Sequence, residues 1–71
     1  AEPKLTEVVI NYIDLDGNKL LTSDTRYLSE DEYRIFSKDI DGYFITESYF
    51  QDVAVEYNNP IEINFEYTKL E

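Results

Sequence analysis

The sequence predicts a small α+β domain in which strands dominate, and three observations carry that reading. First, the segment Glu7 to Asp14 (EVVINYID) is dense in β-branched and aromatic residues. It runs into Asp16-Gly17, the dipeptide that supplies the positive φ angles of a tight hairpin turn. Second, Ile61, Ile63, Phe65 and Tyr67 alternate with Glu62, Asn64 and Glu66, the two-residue period of a half-buried strand. Third, Ser29-x-x-Glu32 has the spacing of a helix capping box and is followed by Tyr33, Phe36 and Ile40 at helical spacing.

Taken along the chain, residues 1–6 contain Pro3 and no periodicity, and read as a lead-in to a domain spanning 7–69. Within the first strand Val8, Ile10 and Tyr12 point one way and Val9 and Ile13 the other, so both faces are apolar and the strand is central. After the turn, Lys19-Leu20-Leu21 begins the returning strand. Ser23 to Tyr27 is polar and aperiodic, which predicts a segment that leaves the sheet and crosses the surface. A short helix is expected between residues 31 and 40, its start favoured by Glu30, Asp31 and Glu32. Tyr33 to Phe36 has strand-like residue types as well, and four residues do not separate the two periods. Asp41-Gly42 supplies a helix end, Tyr43-Phe44-Ile45 a strand, and Val53 to Tyr57 an alternating strand. Asn58-Asn59-Pro60 turns the chain into the last strand. The start at Ala1 and the absence of Met predict an excised piece, with Leu70-Glu71 as a candidate tag scar.

At 71 residues only one core is available, and a domain of this size buries roughly 60% of the surface its unfolded chain exposes. Nearly every large apolar side chain is then needed for folding, and a deep substrate cleft is not expected. The 16 acidic and 6 basic residues leave a formal charge of −10, which repels phosphate backbones and anionic lipid surfaces. Nucleic acid is therefore not expected as a partner, and with no 18-residue apolar run neither is membrane insertion. Without Cys or His the chain lacks a thiol nucleophile, an imidazole base and the usual zinc ligands, so no enzyme, cofactor or metal is expected. Asp14-Leu15-Asp16-Gly17-Asn18 shares residue types with a calcium loop, but its Gly comes too early and Thr25 occupies the place of the closing acid. Turn chemistry accounts for it better. Glu30, Asp31 and Glu32 are adjacent and cannot flank a scissile bond. Crowded carboxylates would bind protons more readily in the folded state, predicting a stability that increases as the pH falls from 7 toward 5.

The seven tyrosines are the most informative excess. A tyrosine ring packs in a core or sheet face while its hydroxyl keeps a polar partner, and such rings also stack on the apolar faces of sugars. Core packing accounts for most of them. Tyr27, Tyr43 and Tyr49 fall near predicted loops and strand ends, and are the candidate ligand-binding residues.

The order of landmarks, VVINYIDLDGNKL, then YRIFSKDIDGYF, then INFEYTK, resembles a MucBP repeat, the mucin-binding-protein module of Gram-positive surface proteins. The resemblance covers residues 8–69. It rests on Val8, Ile10, Tyr12, Asp14, Gly17 and Asn18 in the first hairpin, on Lys38, Ile40, Gly42 and Tyr43, and on Phe65 and Tyr67. It implies a ubiquitin-like β-grasp sheet covered by a short helical segment. It also implies a cell-surface adhesion module of a secreted, wall-attached bacterial protein, making weak multivalent contact with mucin-type glycoproteins. The implied partners are a host or matrix glycoprotein and neighbouring domains of the same chain, the isolated domain being monomeric. A spacer repeat with no ligand of its own is the alternative. The family has no catalytic or metal residues to carry over.

Overall fold

The computed structural model describes residues 4–70, so residues 1–3 of the expected lead-in and Glu71 of the expected tag scar lie outside it. Six strands follow in order: β1 (Leu5–Asp14), β2 (Asp24–Ser29), β3 (Asp31–Phe36), β4 (Tyr43–Ile45), β5 (Phe50–Val55) and β6 (Ile61–Lys69). They make two layers, a four-stranded sheet of order β2-β1-β6-β4 and a two-stranded β3-β5 ribbon.

β1 is central, as its two apolar faces require. It pairs antiparallel with β2 from Leu5↔Ser29 to Ile10↔Asp24, and parallel with β6 from Val8↔Ile61 to Asp14↔Tyr67. Directly paired residues share a face of the sheet. Val8, Ile10 and Tyr12, opposite Ile61, Ile63 and Phe65, therefore share the core face with them and with Tyr67; all of these but the half-buried Ile61 are buried. Ile35 and Val55 join them from the ribbon, which closes the core face as a second layer. On the other face Asn11 is buried too, and its amide is satisfied: Nδ2 donates to Asn64 Oδ1 at 2.9 Å, and Ser23 Oγ donates to Asn11 Oδ1.

The turn after β1 forms as the sequence predicts. Gly17 takes φ +89°, and Asp14 Oδ1 accepts the backbone N–H groups of Asp16 and Asn18, each at 2.9 Å. The returning chain makes one bridge, Ile13↔Lys19, and then bulges. Residues 20–23 stand opposite only Asn11 and Tyr12 before pairing resumes at Asp24. The segment expected to leave the sheet, Ser23 to Tyr27, thus supplies the first four residues of β2. Its polar side chains fit an edge strand, where one side meets water.

No helix occurs among the described residues: the fold is all β, and the expected α+β class with a helical segment in residues 31–40 is overturned. The two-residue period wins in β3. Ile35 is buried and Tyr33 half-buried, whereas Glu32, Arg34 and Phe36 are exposed. Residues with β-branched and aromatic side chains fit this pleat and lose rotamer freedom in a helix. The capping groups are also spent otherwise: Ser29 Oγ meets Tyr33 Oη at 2.9 Å, and Asp31 Oδ1 accepts the Glu32 N–H at 2.8 Å. β3 pairs with β5 from Asp31↔Val55 to Phe36↔Phe50, so the layer expected to be a helix is a ribbon. Gly42, at φ +85°, serves a turn closed by the Tyr43 N–H on the Ile40 carbonyl at 3.0 Å, not a helix end.

The segment after β3 is pinned to the sheet. Tyr67 Oη donates to the Lys38 carbonyl at 2.7 Å and accepts the Lys38 N–H at 3.2 Å. Lys38 Nζ lies 2.7 Å from Asp24 Oδ2, the atom that also accepts from Tyr12 Oη at 2.8 Å. The molecule is elongated, 52 × 19 × 17 Å.

Candidate binding surface

The outward face of the ribbon carries a cluster of contacting aromatic rings, two of them exposed. Strand alternation puts Phe36 opposite Phe50 and Arg34 opposite Asp52 on the face turned away from the core. Tyr49 extends the row from the end of β5. Its ring lies 6.1 Å from Phe36, near parallel at 24°, and 5.1 Å from Phe50, edge on. Phe36 and Tyr49 remain 56% and 60% exposed, although burial of such rings normally drives folding. Two exposed rings in contact, backed by the half-buried Phe50, are a surface that a partner can cover.

Arg34 completes the row. Its guanidinium sits 4.3 Å from the Phe50 ring centroid, and Nε donates to Asp52 Oδ1 at 2.8 Å. That hydrogen bond holds the Asp52 carboxyl below the usual range. An exposed ion pair adds little stability. What this pair does is hold the guanidinium over the ring.

Tyr43 and Tyr49 are brought together: both line a cleft of about 250 Å³ shared with Lys38, Ile40, Ile45 and Tyr67. Tyr43 is half-buried and packs against the core, so it forms the floor, while Tyr49 stands at the rim. Tyr27 is elsewhere. It lies on β2, the edge of the sheet opposite β4 and about 14 Å away across three strand spacings. Its pairing with Glu7 places it on the face away from the core, whereas Tyr43, paired with Lys69, is on the core face. One flat ligand cannot touch Tyr27 and the other two together.

Phe36, Phe50 and Arg34 are the residues that the sequence reading does not single out. A helical reading turns Phe36 inward. Taken as a strand, the same letters alternate Ile35 in with Arg34 and Phe36 out, and that period is the signal that would find them.

The surface offers flat apolar rings bordered by hydrogen-bonding groups. Asp14, the acid of the calcium-like run, is occupied by its own turn, and the backbone N–H of Asn18 first among its donors keeps its carboxyl below the usual range. Among the described residues no group of His, Cys, Asp and Glu side chains is arranged to hold a metal.

Fold and surface together define a small all-β module that displays aromatic rings to solvent. The chain belongs to the MucBP domain family, which it matches over residues 7–68. This is a family of surface adhesion-type modules of Gram-positive bacterial proteins, not an enzyme family. The structure is similar to the crystal structure of the MucBP domain of the adhesion protein from Pediococcus pentosaceus. The TM-score is 0.63 at 16% identity, over 94% of this chain and 99% of that one. It is similar also to a MucBP domain of a Lactobacillus acidophilus protein, with TM-score 0.61 at 12% identity, over 92% of this chain and 90% of that one. At such identities the likeness is one of fold. No curated protein matches the chain.

Proposed function

We propose that this domain is an adhesion module of a secreted, wall-attached bacterial surface protein, binding the glycans of mucin-type glycoproteins weakly and gaining strength from repetition. The observation that carries this reading is the Phe36–Tyr49–Phe50 row, in which Phe36 and Tyr49 are exposed and Phe50 half-buried. Sugar rings present flat C–H faces to aromatic rings, and an open surface contacts few of them at once. Each copy then binds weakly, and linked copies bind through effective concentration. Family membership and the adhesion protein that carries the similar Pediococcus domain support the same reading.

The test is binding of single and tandem copies to immobilised mucin, with enzymatically deglycosylated mucin as control. Tandem copies are expected to bind more tightly than single ones, binding to disappear with the glycans, and F36A/Y49A to lose it while keeping the fold. Binding that survives deglycosylation, or that F36A/Y49A leaves unchanged, would overturn the assignment. A spacer role without a ligand is the second reading, favoured by the elongated 52 Å shape. It predicts no mucin binding by either copy number.

A further inference from the structure

We infer that β1 and β6 form a mechanical clamp that makes the domain resist unfolding by tension applied through its two termini. This goes beyond a spacing role and does not depend on what the aromatic row binds.

The two strands are adjacent and parallel, paired in register over seven positions from Val8↔Ile61 to Asp14↔Tyr67. The described chain enters at the Leu5 end of β1 and leaves at the Lys69 end of β6. Those ends are about 36 Å apart along the strand direction, from the rise per residue. Tension on the two ends therefore pulls β1 and β6 in opposite directions along their own axes. Every hydrogen bond between them is loaded at once and must fail together. Load applied at one end of such a pair instead opens the bonds one after another, each carrying the whole force in turn.

Side chains reinforce the middle of the ladder. Asn11 faces Asn64 directly, and the buried Asn11 Nδ2 donates to Asn64 Oδ1 at 2.9 Å. At the next pair the Tyr12 and Phe65 rings lie 6.2 Å apart and near parallel, at 17°. Both β1 and β6 are also flanked by a further strand, β2 on one side and β4 on the other. Sliding β1 past β6 breaks the amide link and unstacks the rings in the same step as the backbone bonds. Forced unfolding is governed by the unfolding barrier, so simultaneous rupture is what raises the resisting force.

Single-molecule force spectroscopy of the full chain between marker domains tests this. Load applied through the two termini is compared with load between the N-terminus and a thiol at N59C, the exposed turn beside the start of β6; the chain has no other cysteine. The terminal geometry is expected to require a severalfold higher unfolding force at equal loading rate. Equal forces in both geometries, or a lower force through the termini, would overturn the clamp, and this comparison needs no core substitution. Asn64→Ala is expected to lower the force in the terminal geometry and leave the N59C geometry unchanged. Val53→Ala, in the ribbon outside the clamp, is expected to lower equilibrium stability but not the terminal force. Loss of terminal force in V53A equal to that in N64A would show that force follows global stability, against the proposal.

Discussion

At the scale of single residues, the acids whose titration the fold displaces are partnered ones. Asp24 is held below the ordinary carboxylate range by its hydrogen bond with Lys38 first and by the Tyr12 hydroxyl next. Burial, with the Asp24 bond behind it, pushes the Tyr12 hydroxyl far above its ordinary range. Asp52 is lowered by Arg34, and Asp14 by the N–H groups of its turn. The carboxylates displaced from their ordinary values are thus displaced downward, opposite to what crowding alone predicts. A folded pKa below the unfolded one adds stability that is fully present above the unfolded value, about 3.9, and is lost as the pH falls through the folded value. The urea midpoint is therefore expected to stay level from pH 7 to 5 and to fall below about pH 4. Asp24→Asn should flatten that acid limb. A midpoint that climbs steadily between pH 7 and 5 would restore the crowding account.

At the scale of elements, β3 decides both the fold class and the binding surface, and a pair of neighbouring substitutions tests its period. As a strand it buries Ile35 and exposes Phe36. Ile35→Ala is expected to cost about 2–5 kcal/mol by urea unfolding, the range for truncating a buried aliphatic side chain. Phe36→Ala is expected to cost about 1 kcal/mol or less, the loss of exposed ring contacts. A helical segment would reverse the order. The first and last strands were legible because their signals agree: β-branched residues, a clear period and a turn with the residues it needs, at Asp16-Gly17 and at Asn58, which takes φ +66°. β3 was not, because Ser29-x-x-Glu32 offers a local helix start that only the pairing with β5 overrides. β2 was hidden for a different reason, since its polar face is what an edge strand shows and its register depends on a bulge. The binding surface inherits these misreadings. Tyr49 could be named from its place near a strand end, but its neighbours Phe36 and Phe50 meet it only through the β3-β5 pairing, a long-range fact.

At the scale of the whole molecule, the formal charge of −10 determines which glycans the proposed aromatic surface would accept. Field lines from that charge reach about 8 Å at physiological salt, enough to act on any sugar stacked on Phe36 or Tyr49. Acidic sugars such as sialic acid would then be repelled. The two cations beside the row do not offset this, because Arg34 is paired with Asp52 and Lys38 with Asp24. A neutral sugar loses nothing by approaching, so the binding surface should select neutral glycan faces through ring stacking and shape. Sialidase treatment of immobilised mucin is then expected to strengthen binding of tandem copies, and raising the ionic strength toward physiological values is expected to strengthen binding to untreated mucin by screening the repulsion. The opposite pattern, weaker binding after sialidase and with added salt, would mean that Arg34 or Lys38 leaves its carboxylate to grip an acidic sugar. Arg34→Gln and Lys38→Gln would then separate the two, since only the gripping residue would lose the sialidase-sensitive part of the binding.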